Sequence, residues 1–295
     1  QKPAYEIRPR DWSSDVCSSD LQVEDMSRRK HLRMIKDSFS AFSQIAVDIK
    51  HDEVIMTDES LFQILAYNRT ENTPPKAAMS EPKRILGGLD TSIEYQCGVY
   101  VDPLTGDIYA VNNDTVDKLT IFSRDKKGNV PPTRIINTPH TTYGIAVDEE
   151  RQELYLTAQE SSSVVAYRKL AEPDEAPLRM LQGDKTLLAD PHGIAIDPKR
   201  KLLFVSNFGN VSTKDKAHSS GEGFGVSNKA NWPMARESAV PGTGRSTGAS
   251  ITVYPLDANG DVPPLRIIKG PKTQDRKSTR LNSSHVALSR MPSSA

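Results

Sequence analysis

One five-residue string returns four times along this chain and fixes what it can become: QIAVD at 44–48, GVYVD at 98–102, GIAVD at 144–148 and GIAID at 193–197. The closing residues Asp48, Asp102, Asp148 and Asp197 stand 54, 46 and 49 residues apart. A fixed period of this size decides the architecture before any local motif is weighed. Each string opens the same series. A second short apolar run follows (EVIMTD, DIYAVN, ELYLTA, LLFVSN), then a third ending on Tyr67, Phe122, Tyr167 or Tyr254. The fourth carries Arg84, Arg134, Arg179 or Arg266 between apolar neighbours. Alternation, β-branched and aromatic enrichment, and punctuation by Gly, Asn, Asp and Pro predict short strands rather than helices.

Four short strands per unit, with units of roughly 40 to 50 residues, is the pattern of a propeller blade. The chain is therefore predicted to be all-β, a β-propeller of four-stranded antiparallel blades at about 44–97, 98–143, 144–192 and 193–274. The last blade is interrupted between its second and third strands by an insertion at 209–249, rich in Gly, Ser, Lys and Asn. HLRMI at 31–35 repeats the fourth-strand pattern, so 30–43 reads as the tail of a preceding blade. The expectation is a fragment of a longer propeller of about six blades, because radial closure protects sheet edges that an open array leaves unpaired.

The two ends read differently. DWSSDVCSSDL (11–21) and DRKSTRLNSSHVALSRMPSSA (275–295) resemble translations of the opposite strands of a sequencing adapter. Ile7 to Arg10 can be coded ATA AGG CCA CGT, and the reverse complement of the index within it reads Val286-Ala287-Leu288 at the other end. Residues 1–21 and 275–295 are accordingly read as adapter-derived rather than native, and are set aside from fold reasoning like any fusion scar. The remaining 22–274 carry 31 basic and 33 acidic residues, near neutrality. No basic face for nucleic acid is expected. No apolar run reaches the ~20 residues that span a bilayer, so no membrane span is expected in this piece. Cys97 is the one cysteine there, beside a glycine in a predicted strand, which reads as packing.

The strings GIAVD, LFVSNFGN and SITVYPLDANGDVPPLRIIKGPKT resemble the NHL-type repeat and, more loosely, the related YVTN-type repeat of bacterial propellers. That likeness implies the propeller fold and a preference for a secreted or cell-envelope location. It leaves function open, because the family includes ligand-binding scaffolds, adhesive modules and some enzymes.

Candidate sites follow from where the repeat places side chains. His140 and His192 lie just before glycine-led strands, at blade entrances near the central channel, where propellers bind ligands. Trp232 and Phe224, within the insertion, are candidate anchors for a partner. These residues support a non-enzymatic platform for a protein, peptide or glycan, with no cofactor. The alternative places Asp58, Asn112 and Asn207, at the ends of the second strands, around calcium. That set resembles the gluconolactonase-type enzymes, in which the metal polarises a carbonyl and activates water. Asp48, Asp102, Asp148 and Asp197 recur once per blade and read as turn devices that receive backbone N–H groups. Arg33, Arg84, Arg134, Arg179 and Arg266 read as blade-edge residues with packed stems. GEGFG at 221–225 lacks the Lys-Ser/Thr of a phosphate loop.

Overall fold

The computed structural model describes residues 30–39, 41–113, 116–215, 238–239 and 243–270. Four antiparallel sheets of four strands follow one another along the chain. The first is β1 (Phe42–Asp48), β2 (Glu53–Asp58), β3 (Gln63–Asn68) and β4 (Arg84–Gly87). The second is β5 (Gln96–Val101), β6 (Ile108–Asn112), β7 (Lys118–Phe122) and β8 (Arg134–Asn137). The third is β9 (Thr142–Asp148), β10 (Glu153–Ala158), β11 (Ser163–Arg168) and β12 (Arg179–Leu181). The fourth pairs β13 (Pro191–Asp197), β14 (Leu202–Asn207), β19 (Ser250–Pro255) and β20 (Arg266–Ile268). Each sheet is a meander in which every strand pairs with its predecessor, so each blade closes its own ladder.

Between β14 and β19 the insertion rises on two short ribbons. Asn210–Val211 (β15) pairs with Arg245–Ser246 (β18), and Lys214–Asp215 (β16) with Ser238–Ala239 (β17). Phe224, Trp232 and the GEGFG string lie outside the described residues.

The repeated aspartates act as the sequence predicts. Asp102 Oδ1 accepts the Leu104 and Thr105 amides, and Asp148 Oδ1 those of Glu150 and Arg151. Asp48 and Asp197 hold the amides of His51 and Arg200. The repeated glycines answer to a neighbour rather than to a turn. A Cβ on Gly144 would stand 2.4 Å from the His192 carbonyl oxygen of the next blade, and one on Gly98 2.7 Å from that of Tyr143. At the second-to-third and third-to-fourth junctions the first strands therefore pass too closely for a side chain at this register, whereas the first blade carries Gln44 there, whose Oε1 accepts the Val99 amide.

Blades hold one another through apolar faces that neither could bury alone. Ile55, Ile64, Ala66 and Leu86 of the first blade pack on Val99, Val101, Ile108 and Phe122 of the second. The same register recurs between the second and third blades and between the third and fourth. The aromatic that ends each third strand (Tyr67, Phe122, Tyr167, Tyr254) is fully buried, which explains why the repeat keeps a large ring there.

A backbone latch accompanies each junction. The fourth strand of one blade bonds to the loop between the third and fourth strands of the next: Gly128 N to Ile85 O, Asn137 N to Pro173 O, and Gly260 N to Met180 O, at 2.6–2.9 Å. Side chains repeat the tie, since Asn129 Oδ1 accepts the Asp90 amide and Asp261 Oδ1 that of Lys185.

Residues 31–35, which match the fourth-strand pattern, form no strand ladder. A fourth strand needs the third strand of its own blade beside it. What the segment keeps is the latch: Met34 O accepts the Thr73 amide and Lys36 N donates to Thr73 Oγ1, in register with Ile85 and Gly87.

Candidate functional site

At one end of the blades the loops entering the first strands meet the loops leaving the second strands. In the three later blades the chain enters the first strand through a residue in the left-handed region: Tyr95 (φ 44), Thr141 (φ 57) and Asp190 (φ 55). Its carbonyl accepts the amide just past the second strand, from Asn113, Gln159 and Phe208 respectively. This bond recurs in each of the three later blades and aims the side chains of those residues at a common rim.

A run of polar side chains crosses three blades there. Asn113 Nδ2 donates to Gln159 Oε1 at 2.7 Å and to the Thr142 carbonyl at 3.1 Å. Gln159 Nε2 lies 2.5 Å from His192 Nε2 and 3.2 Å from Asp190 Oδ1. His192 Nε2 is also 2.9 Å from Asp190 Oδ1, whose other oxygen accepts Asn210 Nδ2 at 3.2 Å. One ring nitrogen faces a donor and an acceptor. A bare Nε2 accepts a hydrogen bond from the Gln159 amide and a protonated Nε2 donates one to Asp190, so the nitrogen does one or the other and never both. The imidazole is sandwiched between Tyr143 (centroids 4.3 Å) and Phe208 (5.5 Å), and is 8% exposed. Phe208, at 37% exposed, is the open side of that stack. Asn210 begins the stem of the insertion, so the insertion is rooted in this rim.

His140 serves a different contact. Its Nδ1 meets Asp117 Oδ1 at 2.9 Å, tying the loop before β9 to the loop of the preceding blade. Asp58, Asn112 and Asn207 each turn into their own sheet. Asp58 accepts the amides of Ala41, Ser60 and Leu61. Asn112 accepts the Glu94 amide and donates to the Ser92 and Lys118 carbonyls. Asn207 accepts the Ala189 amide and donates to Thr252 Oγ1. Their side-chain oxygens act as backbone caps. Among the described residues no group of three or more His, Cys, Asp and Glu is placed to hold a metal.

At the opposite, turn-bearing end, the charged residues cluster at blade junctions. Burial would raise the Glu53 carboxyl, but hydrogen bonds from Arg84 and Lys83, with the added charge of Arg124, hold it at about 2. Lys169, 2% exposed, donates to Asp102 at 2.6 Å and to both Glu149 oxygens at 2.6 and 2.7 Å, so the second and third blades share one buried ammonium. Burial opposes its charge, yet the two carboxylates raise its pKa above that of a free lysine.

The rim residues Asn113, Gln159, Asp190 and Phe208 were not singled out from sequence. Their signal was present: a polar or aromatic residue varies at one fixed place after each second strand, where Ala158-Gln159 breaks the pattern.

No family model matches the chain, and no curated protein does. Among solved structures it is similar to hydrazine synthase of Kuenenia stuttgartiensis, with TM-score 0.50 and 11% identity over 81% of this chain and 52% of that one. The likeness is one of fold. A nidogen/laminin complex is also found, at TM-score 0.40 and 19% identity, covering 56% of this chain and 54% of that one. This chain thus spans about half the length of each of these structures. Together with the four-stranded antiparallel sheets, the first likeness fits a propeller fold.

Proposed function

We propose that this chain is a non-enzymatic NHL-type propeller serving as a rigid binding platform, and that its protein, peptide or glycan ligand seats on the rim described above. The observation that supports this is the continuous run Asn113, Gln159, His192, Asp190, Asn210, which sets amide, imidazole and carboxylate groups across three blades. Such groups match the donors and acceptors of a sugar or a peptide backbone. Rigid blades beneath them lower the ordering cost of binding. The half-open Phe208 ring adds an apolar contact beside the polar run. Asp58, Asn112 and Asn207 already spend their oxygens on backbone amides, so no observed geometry favours the calcium-dependent lactonase reading.

The test is selection of ligands on the full chain from a glycan array and a displayed peptide library. A selected ligand is expected to lose about tenfold in affinity, roughly 1.4 kcal/mol, on Phe208→Ala or Asn210→Ala. Lys199→Ala, in the turn at the far end of the fourth blade, leaves it unchanged. Ligands indifferent to both rim variants would move the binding surface elsewhere.

A further inference from the structure

The polar run across the rim has a direction that the main chain imposes. Asn113 Nδ2 meets the Thr142 carbonyl at 3.1 Å, and a backbone carbonyl only accepts, so the Asn113 amide is pinned with its nitrogen forward. The same nitrogen stands 2.7 Å from the Gln159 side chain. The Gln159 atom that meets it must therefore be Oε1, which leaves Gln159 Nε2 facing the fourth blade. There it finds His192 Nε2 at 2.5 Å and Asp190 Oδ1 at 3.2 Å. The order of donors and acceptors thus starts from a carbonyl of the third blade and ends on one imidazole nitrogen.

That nitrogen has two incompatible neighbours. With Nε2 bare, Gln159 supplies one N–H to the ring and one to Asp190, and the ring proton sits on Nδ1. With Nε2 protonated, the ring donates to Asp190, 2.9 Å away, and the Gln159 N–H points at another N–H. Turning Gln159 over gives no relief, because its nitrogen would then face the Asn113 nitrogen that the Thr142 carbonyl holds. The imidazole is itself held in place by the Tyr143 and Phe208 rings stacked on it. The ionisable groups that face it are Asp190, from the loop entering its own strand, and Tyr143, from the third blade, while Gln159 and Phe208 bring no charge.

We propose that protonation of His192 is a switch that opens the rim between the third and fourth blades. A proton on Nε2 replaces the Gln159–His192 hydrogen bond by an ion pair between His192 and Asp190, and displaces the Gln159 amide from the ring. Asp190 keeps its other oxygen on Asn210 in both states. Imidazole is the side chain whose charge ordinarily changes between about pH 5 and 8, which sets the window in which the switch is sought. Its consequence for a ligand rests on the rim being the binding surface proposed above: the acid form offers a free donor on Gln159, while the Asp190 charge is neutralised by its own pair. A ligand that presents an acceptor to Gln159 therefore binds the acid form more tightly.

Nuclear magnetic resonance of the full chain, with no ligand added, tests the switch separately from binding. At pH 8 the ring nitrogen shifts of His192 are expected to show Nε2 bare, with a coupling across the N–H···N bond to Gln159 Nε2. On titration to pH 5 that coupling is expected to vanish, and the Gln159 side-chain amide proton to move upfield with the same midpoint as the His192 ring. Gln159→Met removes the donor that favours the bare nitrogen, so the ring of that variant is expected to titrate at higher pH than in wild type. The wild-type titration decides the matter even where the variant fails to fold. An Nε2–H tautomer at pH 8, a Gln159 amide indifferent to the titration of His192, or an unchanged midpoint in folded Gln159→Met would overturn the proposal. A selected ligand whose affinity ignores pH while the switch operates would count instead against the rim as the binding surface.

Discussion

At the scale of single residues, the structure separates side chains that hold the array from those that face outward. Glu53 is the clearest of the first kind, 1% exposed and met by Lys83, Arg84 and Arg124. Its carboxyl is held at about 2 against an ordinary 4.5. A depressed carboxylate contributes stability that is fully present above pH 4.5 and is lost as pH falls toward 2. Glu53→Gln should therefore destabilise the chain at neutral pH, by about 3 kcal/mol because three cations lose their partner. It should also flatten the acid limb of a stability profile measured by urea unfolding between pH 2 and 6. Gly144 makes the opposite kind of demand. Ala there meets a backbone carbonyl, which cannot rotate away as a side chain can, so a cost of about 3 kcal/mol is expected. Gly128, whose added Cβ would meet nothing within 4 Å, should lose only about 1–2 kcal/mol to Gly128→Ala, from its positive φ of 75. Equal midpoint shifts for these two glycines would contradict the close first-strand passage.

Strands and loops carry the next level. Each sheet satisfies its own ladder, so the joints between blades rest on apolar packing and on the latches. Asp261 caps the amide of Lys185 in the 3-10 turn that follows β12, and Asn129 does the same for Asp90 after β4. Asp261→Ala should cost about 1 kcal/mol and speed hydrogen exchange at Lys185 while leaving Asp90 protected. Loss of protection at both would mean that the latches are not independent. The rim is an element-scale product as well. His192 is visible in the sequence as a histidine at a blade entrance, but its partners come from two blades, Gln159 and Tyr143 of the third and Asp190 and Phe208 of the fourth. Gln159 is 33 residues away and Asn210 sits beyond the second strand, in register only because Phe208 bonds the Asp190 carbonyl. The residues of the alternative metal reading are positioned by the same repeat logic. Asp58, Asn112 and Asn207 occupy equivalent positions in three blades, and a repeat places equivalent residues into equivalent caps rather than into one centre.

For the whole molecule, stability in a linear array is the sum of blade terms and junction terms. Inner blades have two junctions, and the first and last have one among the described residues. Hydrogen exchange on the full chain should then be slowest in β10 and β11 and fastest in β1 and β20, where Ile45, Val47 and Ile268 stay exposed.

The sequence by itself determined the blades. A period near 50 residues, alternation within each run, an aromatic closing each third strand and an aspartate closing each first strand are local or repeating signals, and local backbone chemistry turns them into strands and turns. Tertiary structure alone decided which polar residues meet. The run from Asn113 to Asn210 depends on how closely one blade follows the next around the axis, a distance set by inter-blade packing and by the glycines that permit it. The same packing left Ile45, Val47 and Ile268 uncovered, although their residue types match those of buried counterparts, because burial depends on whether a neighbouring blade is present.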